Sequence, residues 1–178
     1  MKKLFLFLLI VSVPVVFMAQ SGAIKKGGME VNAGLGFWSN SPVIIPLHGG
    51  MDFGITDDIS VGFDVGWRLY NSVGWNHSVF VLQGRADYHF NSMIGLDNQW
   101  DIYAGLQLGP ALITASGDYP EEGHLRGFNF ALDAVVGGRW FFSDNVGLNA
   151  EVGLMGVIPD IIEPPNVFLN LGLTFRLK

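Results

Sequence analysis

The chain has 178 residues, with 24 glycines, 14 phenylalanines, 5 tryptophans, 4 tyrosines and no cysteine; 15% of its residues are charged and its formal net charge is −6. So many aromatics with so little charge exclude a disordered chain, the missing thiols exclude a disulfide scaffold, and glycines without a three-residue period exclude a collagen helix. An acidic pI near 5.0 argues against nucleic acid as a partner, because neutralising phosphate takes clustered Lys and Arg.

Residues 1–19 read MKKLFLFLLIVSVPVVFMA. Lys2 and Lys3 form a basic start, Leu4 to Val16 an apolar run, and Ala19, Ser21 and Ala23 offer small residues for cleavage. This is the pattern of a secretory signal peptide. The run is short for a spanning helix, which takes about 20 apolar residues. No cysteine follows that would carry a lipid anchor. We therefore expect a signal peptide over residues 1–21, cleaved between 19 and 23, and one domain over 22–178.

From residue 28 onward the apolar residues recur with period two, the period of a strand. Eight such runs follow in order. They are Met29 to Phe37, Leu47 to Ile55, Ile59 to Leu69, Phe80 to Phe90, Trp100 to Leu108, Phe128 to Trp140, Val146 to Leu154 and Val167 to Leu177. The expected lengths of roughly 10–14 residues suit tilted membrane strands of about 9–11 better than soluble strands of about 5–6. Connections alternate short and long. Thr56-Asp57-Asp58 and Ser143-Asp144-Asn145 have tight-turn chemistry, and Asn91 to Gln99 is a longer connection on the same side. Residues 39–44, 71–76, 113–124 and 156–166 form the opposite, longer side. An even strand number puts both mature termini on the turn side, which is periplasmic in barrels with short periplasmic turns and long outer loops.

The composition of the two faces decides which is wet. A soluble barrel would carry a charged exterior. Here the polar face is mostly Gly, Asn, Ser and Asp with single Arg or His residues, and beyond the leader lysine occurs only at 25, 26 and 178. Small residues with a few charges suit the narrow interior of an eight-stranded barrel, leaving the bulky face to lipid. Threading the strands up and down places Phe37, Trp38, Trp67, Tyr70, Phe80, Phe128 and Phe168 near one rim. It places Phe53, Tyr88, Phe90, Trp100, Trp140, Phe141 and Phe175 near the other. Two aromatic girdles mark the two membrane interfaces.

The segments GMEVNAGLGFW, ISVGFDVGWRLY, WDIYAGLQLG and VFLNLGLTFRLK resemble the small eight-stranded outer-membrane barrels of the OmpA/OmpX-like superfamily, over essentially Gly28 to Lys178. The resemblance implies an all-β, eight-stranded, antiparallel up-and-down transmembrane β-barrel, integral to the outer membrane and in contact with membrane lipids and lipopolysaccharide. The last strand keeps the alternation of that superfamily's assembly signal but ends Phe175-Arg176-Leu177-Lys178 rather than on an aromatic.

The expected interior holds Glu30, Asp52, Asp64, Asp87, Asp101, Asp133 and Glu151 against Arg68, Arg85, Arg139 and Arg176, with His48 and His89 beside them. Charge in a narrow lumen is costly unless paired, so a ladder of Arg–carboxylate pairs is expected, with Arg139 and Arg176 near the periplasmic end within reach of Glu30, Asp52 or Asp101. The close His-Ser pair, His77-Ser78, cannot easily serve as base and nucleophile, because neighbours on a strand point to opposite faces. Residues 39–46 and 156–166 combine prolines with branched apolar residues and suit a partner or a cap over the mouth. Acidic outer-loop residues are read as a solvated surface rather than a metal site. We expect no cofactor, no metal and no catalysis: a structural or surface-interaction barrel of the envelope with a plugged polar interior. The competing readings are a narrow solute or ion channel, a subunit of a larger envelope complex, and a lipid A-modifying enzyme.

Overall fold

The computed structural model describes residues 24–38, 43–72, 75–97, 99–117, 127–158 and 166–177. The expected leader lies outside them. Strands β1 (Met29–Trp38), β2 (Val43–Gly54), β3 (Ile59–Ser72) and β4 (Trp75–His89) are followed by one helical turn, α1 (Asn91–Ile94). Then come β5 (Trp100–Gly117), β6 (Gly127–Phe141), β7 (Val146–Ile158) and β8 (Asn166–Leu177). Each strand pairs antiparallel with its neighbour in sequence, and β8 pairs back onto β1, closing an eight-stranded up-and-down barrel.

Closure fixes the slant of the strands. Following registered partners from Trp38 through Phe168, Gly153, Val135, Gly105, Asp87, Ser60 and Gly54 leads back to Gly28. The circuit returns ten residues below its start. A stagger of this kind tilts the strands and, with the strand number, sets the barrel's width.

Several strands run further than the alternation suggests. β5 has 18 residues and continues past Leu108 to Gly117, so residues 113–117 of the expected 113–124 loop are strand. β3 and β4 likewise absorb most of 71–76. β2 starts at Val43, with a register shift between Val43 and Ile45 just before Pro46. In β2 and β5 these rim segments, Val43 to Pro46 and Leu108 to Ile113, carry apolar residues on both faces, which erases the period-two signal without ending the strand; at the β3–β4 rim, Asn71, Ser72 and Asn76 put polar residues on both faces with the same result. Pro110 has no N–H to give, and the β4–β5 ladder is interrupted there, between the pairs Val81–Ala111 and Gly84–Leu108.

The turn side is tight. Ile55 N–H donates to Ile59 O (2.9 Å) and Ser143 N–H to Val146 O (3.2 Å). α1 ends at Gly95, whose φ of 63° is the left-handed conformation glycine adopts without cost. Asn91 ties α1 to β5, accepting from Ile102 N–H and donating to Trp100 O.

The barrel is apolar outside and polar inside. Leu35, Phe63, Leu82, Leu106, Val136, Val152 and Leu171 are exposed on the outer face, and among the described residues no strand directs a charged side chain outward. Soluble monomers rarely expose so continuous an apolar surface. Of the aromatics expected in the girdles, Trp67, Phe80, Tyr88, Trp100, Phe128, Trp140 and Phe175 are exposed and Phe53 is half-buried. The side chain of Trp38 lies outside the described residues. Phe141 and Phe168 are corrections: they are only 1% and 2% exposed and sit inside the barrel. Space for Phe168 comes from Gly153, its partner on β7, where a Cβ would collide with the ring.

Candidate functional site

Inward-facing side chains fill the lumen in two unlike halves. The half toward the turns is an ion-pair network. Arg139, on β6, is fully enclosed; its Nη1 donates to Glu30 Oε2 at 2.8 Å and to Asp101 Oδ2 at 3.2 Å, and its Nη2 to Asp52 Oδ2 at 2.6 Å. One guanidinium thus joins β1, β2, β5 and β6. Arg176 Nε donates to the other Glu30 oxygen at 2.9 Å, and its guanidinium carbon lies 3.8 Å from the centre of the Phe141 ring. Arginine suits this role because its planar fork serves several carboxylates at once.

One level further in, Arg85 Nε donates to Asp87 Oδ2 (2.8 Å) and Nη2 to Glu151 Oε2 (2.9 Å). Arg85 Nε is also 3.4 Å from Asp52 Oδ1, which links the two levels. Tyr103 lies between the two arginines, with guanidinium carbons 4.5 Å (Arg139) and 5.6 Å (Arg85) from its ring centre. Its hydroxyl donates to Glu151 Oε2 at 3.1 Å. Gly137 makes this possible, because a Cβ there would overlap the Tyr103 ring. Asn170 and Gln107 complete the shell of Glu151, at 3.2 and 3.5 Å. Beside it, Thr174 Oγ1 donates to Asn32 Oδ1 (2.6 Å) and accepts from Asn149 Nδ2 (3.0 Å).

Three expected network members lie outside these clusters. Asp64 Oδ2 is 3.9 Å from both Arg85 Nη1 and His48 Nδ1, too far for a hydrogen bond. Asp133 is buried near the middle, and Arg68 Nη1 approaches Met155 Sδ at 3.7 Å. Around Met155 the lumen changes character. Val79, Val81, Ala111, Ile113, Ala131, Val135, Met155 and Phe168 form one buried apolar cluster toward the loop side. The expected polar interior thus shares its loop-side half with this cluster, where Arg68, Asn129 and Asp133 are buried beside it and the Arg68 guanidinium lies over the Phe168 ring.

A further grouping sits at the turn-side mouth. Ser60 Oγ is 2.9 Å from His89 Nε2, and His89 Nδ1 is 2.8 Å from Asp101 Oδ1. Alternation puts all three on the inner face, but only register shows that they meet. The pair His77-Ser78 does something else: Ser78 Oγ accepts from Trp67 Nε1 at 3.0 Å, and the His77 side chain lies outside the described residues. Of the expected loops 39–46 and 156–166, residues 39–42 and 159–165 lie outside the described residues, and Val43 to Pro46 belong to β2. Among the described residues no group of three or more His, Asp or Glu side chains is arranged to hold a metal ion.

No protein-family model matches the sequence, and no curated protein matches it. Solved structures do match. The N-terminal β-barrel domain of Pseudomonas aeruginosa OprF superposes with a TM-score of 0.58 at 16% identity, over 85% of this chain and 98% of that one. The outer membrane protein OprG from Pseudomonas aeruginosa gives 0.61 at 10% identity, over 89% and 99%. Ail, the attachment invasion locus protein of Yersinia pestis, gives 0.53 at 11% identity, over 85% and 99%. The chain has the fold of small outer-membrane β-barrels.

Proposed function

We propose, from that shared fold, that this chain is an integral outer-membrane barrel with its termini in the periplasm, serving a structural or surface-interaction role in the envelope rather than conducting solutes. The observation that carries the reading is the two-part filling of the lumen. Arg139 and Arg85 bridge the turn-side half with paired carboxylates, and the buried cluster around Met155 and Phe168, with Arg68 packed on it, occupies the loop-side half. An ion would have to displace Arg–carboxylate pairs and then pass the side chains packed around Met155 and Phe168. An eight-stranded interior is just wide enough for side chains to fill.

Planar-bilayer recording on purified, folded protein tests this. No stable conductance above the lipid baseline is expected. A steady, reproducible single-channel current would replace this reading with the channel. An accompanying test of orientation uses epitope tags: a tag in the 156–166 loop should bind antibody on intact cells, and a tag at the carboxyl terminus only after the outer membrane is opened.

A further inference from the structure

We propose that Ser60 is an activated nucleophile for small carboxylic esters, held shut beneath a lid formed by residues 24–28. This goes beyond the envelope role and does not depend on which way the barrel faces. Three observations converge.

The first is geometry. Ser60 Oγ, His89 and Asp101 stand in nucleophile–base–orienter order through opposite ring nitrogens, at 2.9 and 2.8 Å. In the tautomer that carries its hydrogen on Nδ1 toward Asp101, His89 has Nε2 placed to take the Ser60 proton. Arg139 Nη1, on the other Asp101 oxygen at 3.2 Å, holds that carboxylate in place and balances its charge. Arg139 Nε is a buried donor with no partner among the described residues.

The second is position. Ser60 is the second residue of β3, His89 the last of β4 and Asp101 the second of β5. All three are the inward residues nearest the turn-side rim.

The third is the lid. Residues 24–28 cross that rim, held by Gly27 N–H to Gly54 O (2.8 Å), Gly54 N–H to Gly28 O (3.0 Å) and Lys26 N–H to Asp57 Oδ1 (3.1 Å). Ile24 is only 1% exposed, and its Cγ1 sits 3.4 Å from where a Gly54 Cβ would be. Gly54 is the registered partner of Ser60. An apolar side chain buried at the mouth, on a strap joined to the rim by backbone bonds rather than by a strand ladder of its own, is a stopper that can lift.

With the lid lifted, Ser60 Oγ bonds to the ester carbonyl carbon while its proton passes to His89 Nε2. The carbon–oxygen ester bond breaks and the alcohol leaves with that proton. Water, activated by the same His89, then releases the acid and restores Ser60.

The test is to incubate the folded full chain with p-nitrophenyl acetate, following p-nitrophenolate release and locating acetyl groups by peptide mass spectrometry. Folding is checked by the slower gel mobility of the unheated barrel against the heated one. Wild type should acetylate slowly, and Ile24→Gly at least about 10-fold faster at Ser60, consistent with removal of a lid. Ile24→Gly with His89→Gln should lose about 100-fold in rate, the usual contribution of a general base. Ile24→Gly with Ser60→Ala should give no acetyl group at position 60. Ile24→Ala, which keeps the backbone less free, serves if the glycine variant does not fold. A folded Ile24 variant acetylated only on lysines, or acetylated at Ser60 equally well without His89, overturns the proposal.

Discussion

Arg139 shows how one side chain can organise a lumen. It serves Glu30, Asp52 and Asp101 at once and stacks on Tyr103. Removing one partner of a buried ion pair strands the others without compensation. Arg139→Met should therefore lower stability by about 3–5 kcal/mol, read as a shift in the urea midpoint of the vesicle-embedded barrel. The loss should be partly recovered when Glu30→Gln is added, because fewer carboxylates are then left bare. That non-additivity identifies a shared network. At Gly137 the effect is steric: Gly137→Ala puts a methyl group against the Tyr103 ring, which is pinned between two arginines and bonded to Glu151. A cost of about 1–3 kcal/mol is expected for such overpacking, measured by the same unfolding transition.

At the scale of the strand, the outer face is a continuous apolar band, and its response to charge should depend on depth. Val136 pairs with Ala104 on one side and Val152 on the other, four residues in from Trp140 at the rim, and is 60% exposed. Val136→Arg should destabilise by about 2–4 kcal/mol, whereas Tyr88→Arg at the rim should cost about 0–1 kcal/mol. Equal costs at both positions would mean that this face does not meet the hydrocarbon core. The same scale shows what the sequence could and could not say. Period-two alternation made the eight strands readable, because each has one apolar and one polar face over most of its length. It failed where both faces are apolar, at Leu108 to Ile113 in β5, and so the expected loop was too long. It also gave the side of each residue but not its height. Ser60, His89 and Asp101 are 29 and 12 residues apart, and only pairing brings them level. Phe141 and Phe168 have inward parity, yet their bulk suggested the rim; the space at Gly153 that admits Phe168 is invisible until the register is known.

For the whole molecule, the ring is the unit of stability. β1 meets β8 through ten registered pairs, from Met29–Leu177 to Trp38–Phe168. An open sheet would leave both edges unpaired in lipid, where each bare N–H or C=O costs several kcal/mol. Deleting residues 166–178 should abolish the folded, heat-modifiable species altogether rather than yield a smaller barrel. A seven-stranded product with a heat-dependent mobility shift would contradict this.

The Arg139 cluster has a consequence for how the chain finds that ring. Its partners come from β1, β2 and β5, so all of them arrive together only when the strands close in the right order and at the right stagger. If β1 slides by two residues along its neighbours, every side chain still faces its proper side, and the lipid face looks the same. Glu30, however, is carried away from Arg139 and Arg176, leaving buried charge bare. Lipid contact checks inside against outside; the guanidinium checks alignment, and it rejects near misses that hydrophobicity alone would accept.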